Sequence, residues 1–288
     1  MRKIIILFTI FISFQGYSQT YENSLLWEIS GKGLEKSSYV FGTIHMITTK
    51  DYFFNDIWKQ KFDECETLAL EAEISMGFFK QISMMKKIML ENDETLESYM
   101  KYADYNNYKS FMLDSLKCSS IEFDMYNKMK PFFIYSVIMT KLLGTDIQLY
   151  EQNLSDMADK NKMDIIGLET IEYQMALIDS IPIETQIEMF VFNENTSKKE
   201  MISEFYDMVD LYKKQDITTL FSISSTDSEM ADFEESLLKN RNQNWAVDIQ
   251  TIIKHQPTFI AVGSAHLGGE FGILNLLKQE GYTIKAIN

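Results

Sequence analysis

The chain has 288 residues, 45% hydrophobic and 24% charged, enough apolar material to bury a core in one large domain or two small ones. Three prolines and no Pro/Ser/Gly-rich linker favour one domain, residues 19–288. A formal net charge of −15 repels phosphate backbones and speaks against nucleic acid as a partner.

In chain order, Arg2 and Lys3 precede an apolar stretch, Ile4 to Phe14, that is too short to span a bilayer comfortably. Gly16 and Ser18 place small residues ahead of a cut after Ser18, so residues 1–18 read as a cleavable signal peptide rather than a retained anchor. No cysteine follows the cut, which leaves a lipoprotein anchor without support. The mature chain is expected to be exported, periplasmic or secreted, with no transmembrane segment. Cys65 and Cys118 leave both a disulfide and simple core filling open.

Ser24 to Ile29 alternates as a strand, Gly31 to Gly33 turns the chain, and Ser38 to Ile44 returns as the second arm of a hairpin. Asp56 to Glu64 reads as a helix and Thr67 to Ala72 as a short strand. From Phe78 to Lys141 the spacing predicts mostly amphipathic helix, whose Met and aromatic stripes suit core packing better than a cofactor box. Leu149 to Lys160 follows as a helix and Asp164 to Leu168 as a strand. Helices are predicted over Ile171 to Asp179, Glu184 to Phe192, Lys198 to Gln215 and Ser228 to Lys254. The chain closes with a strand, Thr258 to Val262, a helix, Phe271 to Glu280, and a strand, Thr283 to Ile287. Strands at both ends around a helical middle predict a mixed α/β fold whose central sheet joins the N- and C-terminal strands.

Three histidines occur, and two share one local frame: Val40-Phe41-Gly42-Thr43-Ile44-His45-Met46 and Ala261-Val262-Gly263-Ser264-Ala265-His266-Leu267. Each frame is an apolar strand, a glycine, a small hydroxyl residue, an apolar residue and a histidine. A strand exit is where α/β folds build their sites, so His45 and His266 are expected to converge. A single histidine after a strand is usually structural; two in one frame favour function. His255, in Lys254-His255-Gln256-Pro257, reads as a solvated helix end. Two more strand exits carry acids, Glu71 with Glu73 and Glu169, and for Glu73 a solvated loop charge is the better reading. Two imidazoles and two carboxylates suit a divalent ion such as Mn, Co, Zn or Fe. No HExxH or Gly-x-Ser-x-Gly motif is present, which sets aside the zincin site and the serine elbow. Ser264 has Thr43 as its counterpart, which favours a structural hydroxyl. Arg2 leaves with the signal, so Arg241 is the only arginine of the mature chain, which favours a specific role over a casual ion pair.

Gly-Thr-Ile-His-Met after a hairpin, Leu-Glu-Ala-Glu, Gly-Leu-Glu-Thr with Gln174, Arg241-Asn242 and Val-Gly-Ser-Ala-His-Leu-Gly-Gly together resemble the TraB/GumN family, which includes the Tiki proteases. The similarity runs from about Ser24 to the end, and the two ordered GxxH frames are its specific part. The resemblance implies an EreA/ChaN-like α/β fold and a metal-dependent peptidase acting on a peptide or protein. It implies His45, His266, Glu71 and Glu169 as metal-site residues, and Glu71, Glu169 and Arg241 as catalytic residues. The alternative it leaves open is a non-catalytic protein that binds a peptide signal, haem or metal.

Overall fold

The computed structural model describes residues 21–73, 84–190, 197–226 and 235–288. The expected signal peptide lies outside them.

A six-stranded sheet has the order β6-β4-β7-β2-β1-β8, from β1 (Leu26–Ser30), β2 (Ser38–Thr43), β4 (Thr67–Ala72), β6 (Asp164–Glu169), β7 (Thr258–Gly263) and β8 (Thr283–Ile287). β7 pairs in parallel with both β2 and β4, and β4 in parallel with β6. Four adjacent strands therefore leave the sheet at the same edge. β1 runs against both of its neighbours, Leu26 facing Phe41 on β2 and Ile287 on β8. That ladder joins the opening hairpin to the end of the chain, the joining of terminal strands that the sequence predicts.

The central strands β2 and β7 are buried along their whole length, which explains their unbroken apolar runs. Phe41 and Phe259 meet Trp58 and Phe62 from helix α1 (Asp56–Asp63), with ring centroids 5.0 Å apart for Phe41–Trp58 and for Phe62–Phe259. Each such fully buried ring contributes roughly 1.5–3 kcal/mol. The Asn55 side chain opens α1 by accepting from the Trp58 amide at 2.8 Å.

The middle of the chain is helical, but not as one run. Its first part, residues 74–83, lies outside the described residues. The remainder breaks into Tyr102–Ser110, Ser120–Tyr126 and Pro131–Leu143 with short turns between. Positive φ at Asn92 and Lys117 interrupts it, and Pro131 starts a new helix. A two-stranded sheet, β3 (Met46–Thr48) with β5 (Ile147–Leu149), is absent from the sequence prediction because three residues are too few to show alternation. Helix Ile217–Thr226 is also missing from it: Thr218, Thr219, Ser222 and Ser225 blur its apolar stripe, while Asp216 caps its start by accepting from the Thr219 amide at 3.0 Å. The predicted helix from Ser228 begins outside the described residues; its regular part, Asn240–Ile253, follows a wider turn at Glu235–Lys239. Cys65 and Cys118 are both buried free thiols. Among the described residues, no helix is long and apolar enough to cross a membrane.

Candidate active site

The shared edge of the four parallel strands gathers the predicted residues. Thr43 on β2 faces Gly263 on β7, and Ala72 on β4 faces Glu169 on β6. His45 and His266 lie just past β2 and β7, while Glu71 and Glu169 sit at the ends of β4 and β6. A Cβ added to Gly263 would lie 3.3 Å from Glu71 Oε1, 3.5 Å from His45 Nε2 and 3.7 Å from His266 Cδ2. The two imidazoles and the first glutamate thus border one small space beside Gly263, which a methyl group there would occupy at close contact. The other glycine serves the opposite frame: a Cβ on Gly42 would lie 2.7 Å from Leu267 Cδ1 and 3.1 Å from Ser264 Cα. Buried Tyr212 donates to the Gly42 carbonyl at 2.9 Å and fixes that turn.

Arg241, on helix Asn240–Ile253, reaches into the cluster with every donor engaged. Its Nη2 donates to Glu71 Oε2 at 2.6 Å and Glu169 Oε1 at 2.7 Å, and Nε donates to the Glu169 oxygens at 3.1 and 3.2 Å. Nη1 donates to the Leu237 carbonyl at 3.0 Å and points at His266 Nε2 from 3.2 Å. All five N–H groups of the fork are used. Trp245 lies under the guanidinium, 4.5 Å from its ring centroid, and donates Nε1–H to Glu169 Oε2 at 3.1 Å. Both Glu169 oxygens are therefore taken. Among the described residues, no three His, Cys, Asp or Glu side chains already close around a cation-sized centre; the guanidinium stands between Glu71, Glu169 and His266.

The contacts of His266 assign its protons. Arginine only donates, so Nε2 is the acceptor and Nδ1 carries the hydrogen. Nδ1–H meets Asn242 Oδ1 at 2.6 Å, an amide oriented by its own donation to the Phe271 carbonyl at 2.9 Å. Burial pushes the His266 imidazole down to about 3, and the adjacent Arg241 adds to that against the opposing pull of Glu71, so the ring is neutral near pH 7. Burial by itself would raise Glu71, but His266, Arg241, His45 and the Gly263 amide (2.8 Å from Oε1) favour its charged form and hold it at about 2. Because His266 is uncharged near neutrality, Arg241 is the permanent cation that keeps Glu71 ionised there.

His45 has the opposite setting. Its side chain is 70% exposed, against 6% for His266. Desolvation lowers its imidazole, but the hydrogen bond and charge of Glu151, aided by Glu71, outweigh this and lift it to about 9. Water at the open face screens these interactions, so the direction set by Glu151 is what matters. Glu151 Oε1 lies 3.0 Å from His45 Nδ1 and accepts from Thr43 Oγ1 at 2.7 Å.

Glu151, Asn242 and Trp245 are site residues that sequence reasoning missed as such. Asn242 stood in the motif beside Arg241, the one signal that could have found it. Of the remaining predicted positions, His255 is exposed at a helix end and Glu73 is exposed beyond β4. Next to Glu169, a cleft of about 470 Å³ opens between Thr170, Tyr173, Trp245, Val247 and Asp248.

Two glycine–histidine exits, two glutamates and a buried arginine at one edge of a mixed sheet define a compact polar cluster, the candidate site of this α/β fold. The chain belongs to the TraB/PrgY/gumN family: the family's sequence model matches residues 25–286, almost all of the chain. No curated protein and no solved structure matches it significantly.

Proposed function

We propose that this chain is an exported, metal-dependent hydrolase that cleaves peptide or protein substrates. The observation that carries the reading is the convergence of His45 Nε2, Glu71 Oε1 and the His266 ring on the space that Gly263 leaves open. The likeness of its motifs to the Tiki proteases supplies the reaction class, and residues 1–18 supply the route of export.

The residues fit a divalent ion in donor type. His45, His266 and Glu71 are the three that would hold it, the cradle being one that a Cβ at Gly263 would fill. When bound, such an ion lowers the pKa of water and polarises a substrate carbonyl. The protein's own groups do the rest. Glu71 remains an anion at neutral pH and faces the shared point with Oε1. It is the carboxylate placed to attract a cation or receive a proton from the attacking water. Glu169, with both oxygens committed, serves by fixing Arg241. Arg241 offsets the charge of the two acids, and by releasing His266 or a glutamate it could turn one N–H towards a developing oxyanion. The cleft beside Glu169 gives a substrate side chain somewhere to lie.

The test is metal analysis of the purified mature protein together with a peptide-library cleavage assay. Metal-dependent cleavage is expected in the wild type and is expected to drop by at least about 100-fold in His45→Ala and His266→Ala with the fold retained, as for loss of a group used in acid–base or metal chemistry. Stoichiometric peptide or haem binding without turnover, whatever divalent ion is supplied, would instead make this a binding protein.

A further inference from the structure

The two imidazoles are held in the same way by unlike partners. His266 presents Nδ1 to an amide oxygen, Asn242 Oδ1, at 2.6 Å; His45 presents Nδ1 to a carboxylate oxygen, Glu151 Oε1, at 3.0 Å. The other nitrogen is spoken for in one ring and not in the other: His266 Nε2 faces Arg241 Nη1 at 3.2 Å, while His45 Nε2 lies beside the space over Gly263.

Glu151 is brought there by the fold rather than by a motif. It lies 106 residues from His45 in sequence, in the first turn of helix Tyr150–Asn161, directly after β5. The β3–β5 ladder starts with Met46 facing Leu149, so the residues on either side of that pair, His45 and Tyr150 to Glu151, come together. Tyr150 anchors the turn: its side chain is fully buried and its hydroxyl donates to the Phe53 carbonyl at 2.7 Å. Thr43, the hydroxyl residue of the first frame, donates to the same Glu151 oxygen at 2.7 Å. With a side chain 17% exposed, the carboxylate is held from two sides beneath a ring that is mostly open to solvent. An ordinary surface ion pair has neither the second donor nor the buried anchor.

We infer that Glu151 is the positioning residue for His45, keeping the proton on Nδ1 so that the Nε2 lone pair faces the space shared with Glu71 and His266. A neutral histidine side chain in water favours the hydrogen on Nε2, so without an acceptor at Nδ1 this arrangement reverses. A carboxylate at the far nitrogen orients a working imidazole and raises its basicity. Glu151 itself touches no reacting atom. The inference rests on the reading of His45 as a working residue of the proposed hydrolase, and its test separates the two.

Histidine-15N spectra of the metal-free full-length protein at pH 10, where His45 is neutral, read the tautomer directly. The wild type is expected to show His45 with hydrogen on Nδ1. Glu151→Gln, whose amide oxygen can still accept from Nδ1–H and Thr43, is expected to keep it. Glu151→Ala is expected to move most of the hydrogen to Nε2 while the His266 signals stay in place. Zinc titration of the same proteins is expected to show affinity weakened about 10–100-fold in Glu151→Ala. Should the alanine variant not fold, Glu151→Met keeps the side-chain length without an acceptor and gives the same reading. An unchanged His45 tautomer in a folded Ala or Met variant overturns the inference. A wild type that binds no zinc and cleaves no peptide overturns the proposed function, while the tautomer result still decides the part played by Glu151.

Discussion

The two Gly-x-x-His exits are near copies in sequence and opposites in setting. His45 stands 70% exposed against a carboxylate and is raised to about 9; His266 is buried against an amide and a guanidinium and is lowered to about 3. A motif can place an imidazole at a strand exit, but the elements that later pack around it decide the ring's charge. The exposed exit faces solvent, and the buried one is enclosed by the acids, the amide and the guanidinium. Two similar residues are thus driven to opposite protonation states by unlike surroundings.

The strongest way to break this contrast is to remove the group that creates the buried half. Arg241→Gln leaves Glu71 and Glu169 without their cation, and chemical denaturation is expected to show a loss of about 3–5 kcal/mol, as for a broken buried ion pair. Near-normal stability would mean that the guanidinium does not hold the cluster together.

The glycines give a sharper comparison. Gly42→Ala drives a methyl into Leu267 and the Ser264 backbone and is expected to destabilise the fold by about 1–3 kcal/mol, the usual cost of overpacking. Gly263→Ala meets side-chain atoms at 3.3 Å or more, so its stability should change by less than about 1 kcal/mol while zinc affinity falls, because the methyl occupies the shared space. Equal effects of the two variants on stability and on zinc binding would erase the distinction.

Proton linkage gives the most selective comparison. His266 has its folded value depressed below the ordinary 6.5, so the unfolded chain binds the extra proton and stability falls as pH drops from about 6.5 towards about 3. Glu71, depressed from 4.5 to about 2, adds to the loss below about 4.5. His45 is raised, so its smaller contribution, under about 1 kcal/mol for so exposed a pair, is present below 6.5 and fades as pH rises through about 9. Melting temperatures of the metal-free protein should therefore be flatter between pH 4.5 and 6.5 in His266→Gln, and flatter only on the alkaline side in His45→Gln. An unchanged acid limb in His266→Gln would show that the buried ring is not the source.

Much of this was legible in the sequence for a physical reason. Strands buried on both faces announce themselves as apolar runs, and acids or histidines at their ends stand out against them. So β2, β4 and β7 with His45, Glu71 and His266 could be read; β6 with Glu169, only partly buried, was read from the short run Ile165–Ile166, and Arg241 was conspicuous as a lone arginine among lysines. Partnerships made across long sequence distances could not. Glu151 looks like any first-turn acid until β3 and β5 pair, and Asn242 and Trp245 look like helix-face residues until His266 and Glu169 come against them. The broken helical middle failed for a local reason: an apolar stripe continues through Asn92 and Lys117, while backbone turns there do not.

The reciprocal use of the glycines has a consequence for anyone rebuilding this protein. Gly42 makes room for the turn after β7, and Gly263 makes room for groups that include the ring after β2. Neither histidine loop is therefore a transplantable cassette. Moving one into another scaffold, or diversifying one in a library, changes the walls of its sibling, and variants should be sampled at both glycines together.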